Sequence, residues 1–589
     1  MQTTRSYCLL TISAALLCAC GTRQEQQGSS AAAADSLHHI VDRYYDEKMQ
    51  LFPIEATFNG EHQYDGTLNI DISQSFRQHE DSVETRYLQQ LQGVDTAALT
   101  PNDRISYDML YRELSMAKEG LQFHDDLMPI HQFWGLTLTL AQLGSGTSAQ
   151  PFKTADDYHK FMQRMKSFAA WADTAIANMR KGMATGYVLP KALVVKVIPQ
   201  LKDLSKKDTG NIFYSPLKTM PAGTDTALQT AYRQTIEQDV LPAYDRLRTF
   251  MEKEYLPKAR TTSGIGGVPD GKAYYAYLIK YWTTTNSTPE EIFNTGQQEV
   301  ARIRKEMEEV KNSTGFKGDL PAFFEFVRND PQFKIFKTPA QVLDSFKAIE
   351  NKIMPGVKRI YGHLPKTGFE IRQTEAFRAA SASAEYIQGS ADGSRPGAFY
   401  VPILDAKKFS YVGMESLFLH EAIPGHHFQI SLQQENDSLP KFRRFSWIGA
   451  YGEGYALYCE SLGKELGLYT NPYMYFGRLS DEIHRAIRLV VDVGMHAKGW
   501  SREEALKYML DNEPASEAEA IAEIERYMAI PGQALSYKTG ELKIRELRKK
   551  YEQQLGSQFS LKDFHDELLR DGCVPLSVLE QKMKRKFEK

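Results

Sequence analysis

Residues 417–429 read LFLHEAIPGHHFQ. His420, Glu421, His426 and His427 crowd around a Pro-Gly pair. Imidazole and carboxylate groups at this density are the donors of a transition-metal site, and two histidines with one carboxylate suit zinc best. A catalytic zinc takes three protein ligands and keeps one position open for water. On a helix, His-Glu-x-x-His supplies two of them, because residues four apart share a face, and the Glu beside the first His can take the water's proton. Here the second histidine comes late. On an unbroken helix His426 sits about 600° round from His420, and His427 lies nearly in line but about 10.5 Å further along. Pro424 removes an N–H and crowds the preceding turn, so the helix must bulge or break there. Gly425 adds freedom at that point. Looping out two residues brings His426 into the second ligand's place and leaves His427 as a neighbour for substrate or support; His427 remains the rival ligand.

The third ligand is expected downstream, in YGEGYALYCESLG (451–463). Glu453 is flanked by small residues and opens an apolar, aromatic-rich helix, which suits a buried ligand. Glu460 is the rival, seven residues on and on the same face, with a supporting role as its other reading. HRAIRLVVDVGMH adds a stripe of His484, Arg488, Asp492 and His496, each four residues apart on one helix face. It reads either as support facing a cleft or as an ion-paired exposed face.

The elements that must hold these groups are mostly helical. In TPEEIFNTGQQEVARIRKEMEEVKN, Thr288 is an N-cap, Pro289 fits the first helical position and Glu291 completes a capping box. Ile292, Val300, Ile303, Met307 and Val310 keep helical spacing. DYHKFMQRMKSFAAWADTAIANMRKGMATG reads as a helix stopping between Gly182 and Gly186, and TAYRQTIEQDVLPAYDRLRTFMEKEYL and SREEALKYMLDN also read as helices. GAFYVPI (397–403) is the best strand, expected as an edge along which an extended peptide could pair; YVLPKALVVKVI is a weaker strand candidate. GGVPDGK (266–272) has phosphate-loop spacing, but Ala273 replaces the magnesium-binding hydroxyl and no apolar strand precedes it, so it reads as a turn.

The chain has 589 residues, 42% hydrophobic and 25% charged, with a formal net charge of −3. That balance is ordinary for a globular body and points away from nucleic acid. The start, MQTTRSYCLLTISAALLCACG, has a basic Arg5 and an apolar run too short to span a bilayer, ending at a lipobox-like Leu17-Cys18-Ala19-Cys20-Gly21. The expected organisation is a signal peptide over 1–19, a flexible tether over 20–36 and one helical catalytic body over 37–589. A lipid on Cys20 would be the membrane partner, placing the protein at a bacterial cell envelope with the outer membrane favoured. Of five cysteines only Cys459 and Cys573 fall in the body, enough for one disulfide and for no cysteine-based zinc site.

HEAIPGHHFQ, GEGYALYCESLG, RLVVDVGMHAKGWSREEAL and ERYMAIPGQALSYKTGELKI together resemble the bacterial family called domain of unknown function 885. YVLPKALVVKVIPQL and GKAYYAYLIKYWTTTNSTPEEIFNTGQQEVARIRKEM are similar to it too, so the resemblance runs from about residue 37 to the end. It implies a lipoprotein grouped with helical, deep-clefted zinc metallopeptidases such as angiotensin-converting enzyme and the oligopeptidases. The GEGYA segment resembles the Asn-Glu-Gly-Phe-Ala segment of zinc aminopeptidases, whose Glu is the third ligand. Dipeptidyl-peptidase III has a motif with one inserted residue; this chain has one more. The resemblance implies hydrolysis of short peptides by one zinc on His420, His426 and Glu453, with Glu421 as general base. Related peptidases use a late Tyr or His for the oxyanion, which here points to Tyr537 ahead of Tyr527, while Arg526 and Lys538 could grip a substrate carboxylate or be ion-paired. Hydrolysis of a non-peptide amide or ester, and metal binding without turnover, are the competing expectations; cleavage mode and oligomeric state stay open.

Overall fold

The computed structural model describes residues 32–221, 223–374, 383–389 and 396–588. The signal peptide, Cys20 and residues 20–31 of the expected tether lie outside the described residues. Residues 32–36 do not belong to a tether. They open a helix over 32–51 whose Leu37, Val41, Tyr44 and Met49 are buried in the largest core cluster.

The architecture is a mainly helical body with one three-stranded sheet. Local signals start many of the helices. Thr154, Thr288, Thr338, Ser501 and Ser516 each cap a helix through a capping box, worth about 1 kcal/mol per cap. The helix Ala155–Thr185 ends on Gly186 at φ 89°, the left-handed position that glycine tolerates best. The segment over 226–255 is helical throughout but carries π turns at Ile236–Val240 and Met251–Tyr255. YVLPKALVVKVI is not a strand: Lys191–Leu204 is a helix that buries Leu193, Val194, Val197 and Leu201. Its β-branched residues fall at helical spacing, and tertiary packing outweighs their strand preference. No helix among the described residues is long and apolar enough to cross a membrane.

The sheet contains β1 (Phe369–Gln373), β2 (Glu385–Ile387) and β3 (Gly397–Val401) in the order β1-β3-β2. β3 is parallel to β1 and antiparallel to β2, with Phe399 opposite both Ile371 and Tyr386. GAFYVPI is therefore the central strand, and its backbone is engaged on both sides. The expectation that it offers a free edge to a peptide is overturned. Its burial explains the run: Gly397, Ala398, Phe399 and Val401 are buried, and a strand covered on both faces reads as nearly continuous apolar residues.

Two helix pairs frame the centre of the molecule: Pro289–Ser313 along Pro472–His496, and Gly449–Ser461 along Ser536–Leu555. The second pair crosses very closely. A Cβ on Gly540 would overlap the Ala450 carbonyl oxygen, and one on Gly454 would strike the Gly540 backbone. Glycine at both positions lets the two backbones meet.

Candidate metal centre

The motif helix breaks where proline and glycine stand. The helix Met414–Glu421 ends at Glu421, the backbone leaves helical geometry at Ala422 (ψ −99°) and Gly425 (ψ −131°), and a new helix, His426–Gln434, begins at His426. Gly425 is tightly enclosed, since a Cβ there would overlap the carbonyl oxygens of His420 and Leu419. The break folds the second helix back on the first. His420 and His426 meet edge to face, with ring centroids 4.8 Å apart.

Glu453 faces both rings. Its Oε2 lies 3.6 Å from His420 Nε2 and 3.4 Å from His426 Nε2. One ligand atom from each of His420, His426 and Glu453 falls within 4.8 Å of the others. A tetrahedral ion with ligand bonds of about 2.0–2.2 Å sets neighbouring ligand atoms roughly 3.4 Å apart. The two separations from Glu453 are close to that edge, and the donor set is the two-histidine, one-carboxylate set of open zinc sites. The close crossing at Gly454 and Gly540 brings Glu453 to this depth, and Gly452 leaves room for the Trp447 ring, which packs against His426 at 5.6 Å.

The electrostatics fit a centre built for positive charge. Burial opposes a charged His420, yet hydrogen bonding to Glu453 and Glu460 and the field of Glu421 push it up to about 10. Burial also works against an ionised Glu453, but His426 and His420 hold it well below the usual carboxylate range. A divalent cation would take the place of those protons. Glu460 does not face the cluster. It is 1% exposed, its Oε1 is 2.7 Å from His420 Nδ1, and its Oε2 accepts from Ser416 Oγ at 3.1 Å. It therefore fixes the orientation of His420, as outer carboxylates do at metal sites.

Glu421 is buried, and its Oε2 accepts the Tyr386 backbone N–H of β2 at 2.9 Å. Burial raises its pKa, against the pull of His420 and His426. His427 points the other way, towards the sheet. Its ring packs on Phe369 at 4.5 Å, its Nδ1 lies 3.1 Å from Tyr386 Oη, and burial pushes it down to about 4. Its side chain supports the sheet and lies outside the group of ligand atoms formed by the trio.

The late segment divides in two. Tyr537 is half-buried, and its pKa is raised by burial and by the charge of Glu453, while Arg488 lies over its ring at 4.5 Å. Tyr527 is buried and committed: its hydroxyl donates to Glu523 at 2.5 Å and accepts from Arg488 Nε at 2.9 Å. Arg526 is engaged too, with Glu523 at 3.0 Å and Gln533 at 2.8 Å. Lys538 is buried among Glu482, Glu541 and Glu299 at 2.7–3.0 Å, so the ion-paired alternative holds for it. The His484 stripe is not an exposed face. Asp492 accepts from Tyr275 Oη and the Gly532 N–H, and His496 accepts the Ile265 N–H and meets the Tyr527 carbonyl, tying distant segments to one buried helix. Cys459 and Cys573 are free and buried, so the single disulfide is not formed.

A cavity of about 1020 Å³ has Trp447, the neighbour of His426, in its wall. Its walls include Trp447, Ile448 and Gly449 at the start of the Glu453 helix, and Ile530 and Pro531 ahead of Tyr537. Its size suits a short extended peptide. Tyr386 and Trp447, which hold Glu421 and cover His426, carried no sequence signal. Tyr386 sits in the three-residue strand β2 and Trp447 in a short irregular stretch, and only chain packing brings them to the motif.

The family model for bacterial proteins of unknown function, DUF885, matches residues 53–583. The chain belongs to this family. Among solved structures it is similar to a protein of Colwellia psychrerythraea described as a "putative lipoprotein", with 28% identity and a TM-score of 0.86 over 94% of this chain and 99% of that one. A second similar structure, described as a "putative lipoprotein of unknown function" from Shewanella oneidensis, has 20% identity and a TM-score of 0.75 over 93% of this chain and 99% of that one, and shows the shared fold. No curated protein matches the chain.

Proposed function

We propose that the protein is a zinc-dependent hydrolase of short peptides, held at the bacterial cell envelope by a lipid on Cys20. The observation that carries this reading is the convergence of ligand atoms of His420, His426 and Glu453 within 4.8 Å of one another, with Glu421 beside them. A purely structural site has no use for a buried carboxylate next to its ligands; a hydrolytic one does. A bound zinc would supply Lewis acidity to polarise the water and the scissile carbonyl. Glu421, fixed by the Tyr386 N–H, accepts the proton of the attacking water and returns it to the leaving amine. Tyr537, in the field of Glu453 and backed by the Arg488 guanidinium, donates to the oxyanion. Glu460 keeps the His420 ring turned so that Nε2 faces inward. The lipid anchor is supported by the Leu17–Gly21 lipobox pattern and by the two "putative lipoprotein" relatives; Gly21 after Cys20 favours the outer membrane.

The test is bound metal measured by plasma mass spectrometry on tag-free protein, followed by a peptide-library digest. One zinc per chain is expected, lost in His420→Ala, His426→Ala and Glu453→Ala and retained in His427→Ala. Glu421→Gln should keep the metal and lose about 10²–10⁴-fold in hydrolysis. Full turnover by Glu421→Gln, or a chain that takes up no zinc, would overturn the reading.

A further inference from the structure

The cavity walled by Trp447 also has an acidic pole. There its wall carries Glu80 and Glu84 from the helix Gln74–Gln92 and Glu113 from the helix Pro101–Gly120. Glu113 is matched, with Lys48 Nζ at 3.0 Å and a hydrogen bond from Tyr44 Oη at 3.0 Å. Glu80 and Glu84 have no hydrogen bond or ion pair among the described residues. Glu84 is 3% exposed, and its Oε2 is buried without a hydrogen-bond partner.

Among the described residues the cavity's own cations make no ion pair with them, although Arg77 draws on Glu80 and Lys48, paired with Glu113, draws on Glu84. Arg77 is taken by Asp125 and the carbonyls of Leu121 and Phe123. Arg112 bonds the carbonyls of Lys280 and Tyr281, and Arg260 those of Val188 and Thr262. A buried carboxylate without a partner is unfavourable, and its pKa records that. Burial and the charges of Glu113 and Glu80 push Glu84 up to about 8; burial pushes Glu80 up to about 7. Tyr44 feels the charge of Glu84, and Tyr277, Tyr281 and Trp282 complete an aromatic wall.

We infer that this pole binds a cationic group of the substrate, the ammonium or guanidinium of a basic peptide, with Glu84 and Glu80 as its counter-ions. A bare metal ion does not fit: among the described residues only His420, His426 and Glu453 bring ligand atoms together at coordinating distance. An organic cation does, because it donates hydrogen bonds to separated carboxylates and lies against tyrosine and tryptophan faces. One cavity holds both the acidic pole and Trp447, which packs on His426, so a peptide held by its basic residue would extend towards the metal centre. That the cation belongs to a peptide rests on the hydrolase reading above; the cation site itself does not.

The test uses the full chain carrying Glu421→Gln and fluorescein-labelled octa-alanine peptides with one lysine placed at each position in turn. Matched peptides carry Nε-acetyl-lysine, which is neutral. Fluorescence anisotropy should give about tenfold tighter binding for lysine than for acetyl-lysine in at least one position. That preference should collapse in Glu80→Gln/Glu84→Gln and fall partway in Glu84→Gln alone. Both substitutions keep side-chain shape and break no hydrogen bond, and a thermal melt checks folding. Equal binding of the two peptides, or a lysine preference that survives the double substitution in folded protein, overturns the inference. Lysine-selective binding with no cleavage by the wild-type chain would sink the hydrolase reading and leave the cation site standing.

Discussion

His420 stands between two carboxylates: its Nδ1 lies 2.7 Å from Glu460 Oε1, and its Nε2 lies 3.6 Å from Glu453 Oε2. One imidazole thus links an outer acid to an inner one, and the outer acid decides which nitrogen faces the centre. Glu460→Gln keeps the shape and removes the charge. It should weaken zinc affinity by about 10–100-fold, read by competition with a fluorescent chelator, while His420→Ala abolishes binding. Unchanged affinity in Glu460→Gln would mean that the ring needs no such anchor.

The two late tyrosines should separate cleanly. Tyr537→Phe should lower kcat by about 10²–10³ with little change in melting temperature, since its hydroxyl lies in the field of Glu453. Tyr527→Phe leaves Glu523 and Arg488 short of a partner and should cost about 1–3 kcal/mol of stability. Chemical denaturation and steady-state kinetics on both variants decide it. The reverse pattern would move the oxyanion role to Tyr527.

Depth of the Glu453 helix depends on the glycine crossing. Gly454→Ala places a methyl against the Gly540 backbone. Such overpacking should cost about 1–3 kcal/mol and lower metal affinity together with stability. A variant as stable and as metal-loaded as the parent would show that the helices can separate without moving the site.

His496 and His565 should each subtract from stability on mild acidification. His496 and His565 are buried and both pushed down to about 3 by burial, whereas an unfolded histidine titrates at about 6.5. Below pH 6.5 the unfolded chain binds protons that the folded chain refuses, so stability rises with pH across the window from about 3 to 6.5. Between pH 7 and 5.5 each histidine should contribute a loss of about 1 kcal/mol. Urea denaturation at the two pH values measures it. His565→Gln should remove its share of the pH dependence; an unaltered dependence would mean that His565 charges in the folded state.

A good part of this arrangement is legible in the chain. Thr288 with Glu291, and Ser501 with Glu504, announce their helices because a capping box is closed by residues three apart. Pro424 announces the break in the motif because a missing N–H is a local fact. GAFYVPI announces a strand but not its place in the sheet. Its partners, β1 and β2, come from separate stretches of chain, and pairing order is settled by long-range packing. Lys191–Leu204 misleads for a related reason: β-branched residues suit both a strand and a helix face, and the neighbours choose.

The sequence by itself determined the chemistry available: two imidazoles brought together by a proline-forced break, a carboxylate beside them, and a second acidic helix downstream. Those follow from covalent structure and local backbone preference. Only the tertiary structure decided how the acids divide their work. Glu453 and Glu460 share one helix face, and no local rule ranks them. The crossing at Gly454 and Gly540 sets the depth and tilt of that helix, which turns Glu453 towards both Nε2 atoms and Glu460 towards the far side of His420. Likewise, Lys538 became a buried structural cation, and Glu84 a buried acid without a partner, through contacts with helices remote in sequence. Burial is a property of the assembled core, and the local sequence does not contain it.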